Sequence, residues 1–189
     1  MEKIAKRLTA YIYRNNIISE EEVESYQYGF LIGLEILIWI GTCLFIALCM
    51  KMVFECMLFI ILFIFFRSFV GGIHLQKFIS CYLLSSGVTS LGLALIRCYP
   101  FNKTVSIAII WISLMQILYV QPNTNPNRYV TDEENIEFKN IVKKMIIAIM
   151  LASIVLFLMK QEIFLTTIAV SLSIVAISLV VGNIKNYVS

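Results

Sequence analysis

The chain has 189 residues and a net charge of +3; 60% of its residues are hydrophobic and only 14% are charged. Soluble domains contain about 45 to 50% apolar and about 25% charged residues, so this composition excludes a soluble globular protein. Aromatic residues make up 13% of the chain against eight glycines and three prolines, which excludes a disordered or low-complexity chain. The composition indicates one membrane-embedded domain, residues 1–189, and the small net charge does not predict nucleic acid as a partner.

The first predicted element is a cytoplasmic amphipathic segment, residues 1–29. Its apolar helical face carries Ile4, Leu8, Tyr11 and Ile12, and the basic residues away from that face are Lys3, Lys6, Arg7 and Arg14. This pattern predicts a basic amphipathic helix that lies on the inner leaflet as an anchor or docking surface. The segment has no apolar core of signal-peptide length, so we expect no cleavable signal. Ser19 followed by Glu22 is typical of a capping box, which predicts a helix that starts there and continues into the first span.

Runs of about 20 apolar residues predict the membrane-spanning helices. Four runs are clear, at residues 30–50, 78–96, 105–120 and 163–181. Two further runs, 53–66 and 145–159, are shorter and are bounded by Lys or Arg at both ends. Each crosses only if those cations snorkel or the bilayer thins, so a re-entrant or buried segment is the alternative. The predicted fold class is all-α, a polytopic membrane protein with about six transmembrane helices and an N-terminal interfacial helix.

The distribution of Lys and Arg predicts the orientation in the cell membrane. With the N-terminus in the cytoplasm, only four of the fifteen basic residues lie outside, namely Lys51, Arg97, Lys103 and Lys160. The positive-inside rule therefore predicts a multi-pass protein with cytoplasmic N- and C-termini. It also places the loops around 67–77 and 121–144 in the cytoplasm. The stretch 121–130 contains two prolines and three asparagines and is predicted to be irregular.

Several common active-site patterns are absent from the sequence. A zinc HExxH site needs two histidines, and His74 is the only one. Paired-aspartate proteolysis needs two Asp residues, and Asp132 is the only one. The sequence contains no GxSxG elbow and no glycine-rich phosphate loop. The five cysteines form no CxxC pair or metal-ligand spacing, so we expect no disulfide framework, metal or cofactor. Four of them are interpreted as core packing: Cys43, Cys49, Cys56 and Cys98.

One segment, residues 67–81, retains the residue types that peptide-bond chemistry needs. It reads Arg67-Ser-Phe-Val-Gly71-Gly72-Ile-His74-Leu-Gln76-Lys77-Phe-Ile-Ser80-Cys81. A free thiol is mostly protonated at neutral pH, but an adjacent imidazole stabilises the thiolate and can then protonate an amide leaving group. His74 and Cys81 are therefore the minimal parts of a cysteine peptidase, at the predicted cytoplasmic mouth of the third span.

The spacing between these two residues makes a geometric demand. Seven residues of a straight helix turn about 700° and rise about 10.5 Å, which leaves both side chains on one face but out of hydrogen-bond reach. A working dyad therefore needs a bend, for which Gly71 and Gly72 supply freedom, or a contact across a dimer. The alternative is an interfacial histidine and a membrane-embedded cysteine with structural roles only.

The arrangement of Arg67, Gly72 and His74, with Cys81 seven residues further on, resembles the accessory gene regulator B (AgrB) family of membrane peptidases. Gly33-Leu-Glu35 in the first span and the proline-containing loop 122–126 agree with this resemblance. The resemblance implies a dimeric membrane cysteine endopeptidase that converts a short AgrD-like precursor peptide into a cyclic quorum-sensing signal. By the same resemblance, Cys81 attacks the peptide bond behind the future ring and His74 acts as base and acid. A cysteine of the precursor then closes a thiolactone, or a serine closes a lactone.

Other residues are candidates for binding or orienting the substrate. Arg67 and Lys77 either hold an acidic tail or its carboxylate, or are membrane-flanking cations. Glu35 is an ionisable residue within a span, so it either orients His74, pairs with Arg67 or is solvated near the interface. The candidate oxyanion donors are Gln76, Ser80 and the backbone N–H groups of the turn.

Two rival hypotheses remain open from the sequence. One is a non-enzymatic membrane protein, either a small exporter or a scaffold for a peptide-signalling complex. The other is simple hydrolysis of the precursor without ring closure.

Overall fold

The computed structural model describes residues 1–70, 78–120 and 132–188. Within these ranges the protein is helical and contains no β-strand. The helices are α1 (Glu2–Arg14), α2 (Val23–Met50), α3 (Val53–Val70), α4 (Phe78–Cys98), α5 (Lys103–Tyr119), α6 (Asp132–Leu158) and α7 (Glu162–Val188). A 3₁₀ turn, Glu20–Glu22, leads directly into α2. The segments 71–77 and 121–131 lie outside the described residues, and with them the predicted irregular stretch 121–130.

Five of these helices are long and apolar enough to cross a membrane: α2, α3, α4, α6 and α7. The predicted all-α polytopic membrane fold is therefore confirmed. Five helices reach spanning length where about six were expected, and the run 105–120, expected to span clearly, forms the shorter apolar helix α5. The short runs differ from expectation, because α3 continues through Arg67 to Val70 and α6 begins as early as Asp132. A charged residue does not end a helix, because backbone hydrogen bonding continues through it and its long side chain can extend away from apolar surroundings. In contrast, α5 has 17 residues and a length of about 25 Å, less than the ~30 Å hydrocarbon core.

The N-terminal helix α1 packs against α2 through small residues. Ala5 and Thr9 are 1% and 2% exposed, and the Thr9 hydroxyl donates to the Ala5 carbonyl at 3.0 Å. The α-amino group of Met1 interacts electrostatically with Glu35, so α1 runs back along α2. Much of the predicted apolar face remains outside this contact, since Ile4, Leu8 and Tyr11 are all exposed. That face is free to contact lipid, and its placement on the inner leaflet stays a prediction.

Local signals in the sequence determine where the helices start and stop. The predicted capping box is confirmed: the Ser19 N–H and hydroxyl both donate to the Glu22 carboxylate, at 2.9 and 2.8 Å. Lys51 and Lys160 adopt left-handed conformations, with φ of 56° and 58°, at the ends of α2 and α6. The residue after each lysine closes the turn: the Met52 N–H donates to the Ala47 carbonyl, and the Gln161 N–H donates to the Leu156 carbonyl. These compact turns make α2–α3 and α6–α7 helical hairpins.

Helix α7 forms the centre of the bundle and packs against α3, α4, α5 and α6. Its inward face is almost completely buried, at Leu165, Ile168, Ala169, Leu172, Val175, Ala176 and Leu179. Toward α5 this face carries hydroxyl groups, since Ser106 contacts Thr166 at 3.4 Å and Ser113 contacts Ser173 at 3.5 Å. Small polar side chains let two membrane helices approach closely, and each hydroxyl has a hydrogen-bond partner.

Gly92 lies where α4 crosses α3 and α7, and we predict that it tolerates no large side chain. A Cβ atom there would stand 3.1 Å from Phe59 Cε2 and 3.5 Å from Val170 Cγ1. Gly92→Leu is therefore expected to overpack the core and destabilise the protein by about 1–3 kcal/mol. Thermal unfolding of the purified protein in detergent measures this loss. The matched control is Gly87→Leu, because no atom lies within 4 Å of a Cβ at Gly87. Equal melting temperatures for the two variants would contradict the prediction.

Candidate functional site

The structure describes part of the predicted site. Arg67, Ser80, Cys81 and Glu35 belong to described helices. The remaining predicted residues lie outside the described residues, namely Gly72, His74, Gln76 and Lys77. The His74–Cys81 dyad, the bend at Gly71 and Gly72 and the oxyanion role of Gln76 therefore remain predictions.

Cys81 lies in the first turn of α4, which begins at Phe78. Its side chain is half-buried, and the neighbouring Ser80 is exposed. The first turn of a helix carries backbone N–H groups without intrahelical partners and the positive end of the helix dipole. Cys81 therefore lies at the positive end of α4.

Arg67 reaches from the last turn of α3 toward Cys81 on α4. The two side chains interact electrostatically, and Arg67 is half-buried between the helices. Its guanidinium carbon lies 5.6 Å from the centre of the Phe63 ring, one turn earlier on α3. This cation–π contact holds the guanidinium near the face of the Phe63 ring and so restricts the conformations of the Arg67 side chain. Sequence reasoning proposed Arg67 as a tail-binding or flanking cation and missed its relation to Cys81.

Glu35 lies toward the same end of the bundle as Cys81. Helices α2 and α4 run in the same direction, because successive contacts join Thr42 to Tyr82 and Met50 to Arg97. Glu35 precedes Thr42 by seven residues, two turns back on the same face of α2. It is half-buried there, and the α-amino group of Met1 is the partner that the structure gives it. A role for Glu35 in orienting His74 stays a prediction.

An aromatic column stands behind Arg67, and sequence reasoning did not identify it. The rings of Trp39 on α2 and Phe63 on α3 lie 5.6 Å apart in a tilted arrangement. Phe63 also stacks on Phe59, with ring centres 6.2 Å apart. The four-residue spacing of Glu35 and Trp39, and of Phe63 and Arg67, was visible in the sequence. The pairing of α2 with α3 that brings these rings together was not.

The interpretation of the other four cysteines as core packing is correct for two of them and wrong for the other two. Cys43 and Cys56 are completely buried, and the Cys56 thiol donates to the Cys43 carbonyl oxygen at 3.6 Å. Cys49 and Cys98, in contrast, are exposed near the opposite end of the bundle from Cys81. A thiol is apolar enough for a lipid-facing position, so hydropathy does not distinguish core from surface in a membrane helix. Among the described residues, no three His, Cys, Asp or Glu side chains cluster as metal ligands do.

Comparison with known proteins identifies one related family. The family model described as Accessory gene regulator B matches residues 5–179, nearly the whole chain. No curated protein and no solved structure matches the chain. The family match therefore extends well beyond the fifteen residues, 67–81, that carried the resemblance in the sequence.

Proposed function

The chain belongs to the accessory gene regulator B family, and we propose that it is a membrane cysteine endopeptidase that matures an AgrD-like precursor peptide. Membership of the family places the chain in the agr peptide-signalling system. The proposed reaction removes the C-terminal tail of the precursor and closes the remaining peptide into a ring. The proposed partners are the precursor, the lipid bilayer and a second copy of the chain in a homodimer, with both termini in the cytoplasm.

The interaction between Arg67 and Cys81 is the observation that carries this proposal. A positively charged side chain near the reacting cysteine is a common feature of catalytic cysteines. A structural cysteine in a membrane helix needs no cation beside it.

The proposed chemistry proceeds in two steps. The Cys81 thiolate attacks the carbonyl carbon of the peptide bond that precedes the tail. His74 protonates the leaving nitrogen, so that the tail departs with a free amine and the rest of the precursor remains as a thioester on Cys81. A cysteine of the precursor then gives its proton to His74 and displaces Cys81, which closes a thiolactone. A serine in that position closes a lactone by the same route.

Ring closure must compete with attack of water on the thioester. The half-buried position of Cys81, at the start of an apolar helix, restricts access of water to the bound acyl group. An amide is more stable than a thioester, so ring closure needs a further driving force. Removal of the tail, or export of the product, supplies it.

The mass of the product tests this function against simple hydrolysis. The substrate is an AgrD-like precursor peptide, added to the purified protein in lipid vesicles. Cyclisation releases a peptide whose mass equals that of the precursor minus the intact tail, whereas hydrolysis adds one water to that value. We expect the cyclic mass in the mass spectrum. A linear product only would replace cyclisation by hydrolysis, and the absence of any cleavage would favour the exporter or scaffold.

A further inference from the structure

Two buried side-chain atoms lack a hydrogen-bond partner in the part of the chain that the structure describes. They are Nε1 of Trp39, a side chain that is 7% exposed, and Oγ of Ser86. Elsewhere in the described bundle, buried hydroxyl side chains have hydrogen-bond partners. These are Thr9, Thr89, Ser106, Ser113, Ser153, Thr166, Thr167 and Ser171. The two unpaired groups are therefore exceptions in a bundle that otherwise satisfies its buried polar side chains.

The absence of a partner is costly in this environment. A buried polar group without a hydrogen bond costs about 1–3 kcal/mol in folded proteins. A spanning helix can lower this cost with an aliphatic or aromatic residue, because lipid and bundle interior are both apolar. A ligand that hydrogen-bonds the indole N–H and the hydroxyl would remove this cost.

Both groups lie on the facing sides of α2 and α4. Trp39 precedes Thr42 by three residues, and Ser86 follows Tyr82 by four, which is the helical spacing of residues on one face. Thr42 and Tyr82 are themselves hydrogen bonded across the two helices at 2.8 Å. Because α2 and α4 run in the same direction, Trp39 lies about 4.5 Å before this contact along the helix axis and Ser86 about 6 Å after it. The unpaired N–H and hydroxyl therefore lie about 10 Å apart along one interface between the two helices.

A series of side-chain contacts links this interface between α2 and α4 to the candidate site. The Trp39 ring packs on Phe63, the Arg67 guanidinium lies over the same Phe63 ring, and Arg67 interacts electrostatically with Cys81. Trp39 is thus three contacts from the nucleophile. A peptide bound at Cys81 that extends inward along α2 and α4 would meet Trp39 and Ser86.

We propose that the Trp39 indole N–H and the Ser86 hydroxyl bind main-chain amide groups of the precursor peptide. The inference rests on the proposed function and adds two substrate-binding residues to it. A peptide that leaves water for an apolar site loses hydrogen bonds at each carbonyl and N–H. Trp39 donates to one such carbonyl, and Ser86 donates to a second carbonyl or accepts from an N–H. The two groups bind the substrate and take no part in proton transfer.

The first test is Trp39→Phe, which retains an aromatic ring but removes the N–H. We expect KM for the precursor to rise about five- to tenfold with little change in kcat, since one hydrogen bond to the bound peptide is lost. The melting temperature in detergent should stay the same or rise, because the variant also loses an unpaired buried donor. A purely structural role predicts the reverse, with a lower melting temperature and an unchanged KM. The matched control is Trp111→Phe on α5, at a 42% exposed position, which should change neither quantity.

The second test measures binding without catalysis. The protein carries Cys81→Ala and Trp111→Phe, which leaves Trp39 as its only tryptophan because the chain has two. The synthetic precursor is titrated into this protein in lipid vesicles. We expect the Trp39 emission to shift to longer wavelength as its N–H gains an acceptor. Adding Ser86→Ala should weaken the apparent affinity about threefold to tenfold.

The outcomes separate the two proposals. Saturable binding with no change in Trp39 emission, together with an unchanged KM in Trp39→Phe, would overturn this inference and leave the peptidase function intact. Failure of the precursor to bind at all would overturn both. Binding with the expected shift, but no cleavage by the protein with Cys81 restored, would support the binding residues and refute the peptidase.

Discussion

Replacement of Cys81 by alanine is expected to abolish processing of the precursor, lowering the rate by at least about a thousandfold. Alanine removes the only atom that can form the thioester, so neither tail cleavage nor ring closure can follow. His74→Ala is expected to cause a loss of the same order, because nucleophile and base act as one unit. Processing is measured by mass spectrometry of a co-expressed precursor, and membrane insertion is measured in parallel by fractionation.

The chain itself supplies matched controls for this experiment. Cys49 and Cys98 are exposed thiols near the other end of their helices, so Cys49→Ala and Cys98→Ala should process the precursor normally. Cys81→Ala should insert as well as these controls do, since a half-buried thiol contributes little to packing. Normal processing by Cys81→Ala would remove the enzyme hypothesis and favour an exporter or scaffold.

Arg67→Gln is expected to lower the rate of tail cleavage about 10- to 100-fold without preventing insertion. Glutamine keeps a polar side chain of moderate length but removes the charge that interacts with Cys81. Arg67→Lys should recover only part of the rate, because an ammonium lacks the planar guanidinium that lies over the Phe63 ring. Single-turnover cleavage measured at saturating precursor separates this effect on chemistry from an effect on binding.

The control for Arg67 is Arg97, in the last turn of α4. Arg97 donates from Nη1 to the Met50 carbonyl oxygen at 2.6 Å, an interaction that ties α4 to the end of α2. Arg97→Gln should lower thermal stability and leave the cleavage rate of the folded fraction unchanged. If Arg97→Gln and Arg67→Gln reduced cleavage equally, the proposed role of Arg67 at the thiolate would be wrong.

The sequence alone determined the features of this protein that depend on local composition. Hydrophobic runs of spanning length predicted the all-α membrane fold, because insertion responds to the apolar length of a segment whatever it later contacts. Ser19 and Glu22 predicted the start of α2 because a capping box is complete within four residues. The pattern of residues 67–81 identified the family, and the match over residues 5–179 confirmed it.

Only the tertiary structure decided which faces of the helices meet. The electrostatic interaction between Arg67 and Cys81 and the packing of Trp39 on Phe63 each join two helices, and the unpaired groups lie on two further faces, of α2 and α4. Hydropathy could not predict them, because the lipid and the interior of a helical bundle are almost equally apolar. For the same reason Cys43 and Cys49, both in α2, looked equivalent in the sequence although one is buried and the other exposed. Membrane insertion depends on the apolar length of each segment separately. The candidate site depends on how three helices pack, which is set by the shapes of their side chains.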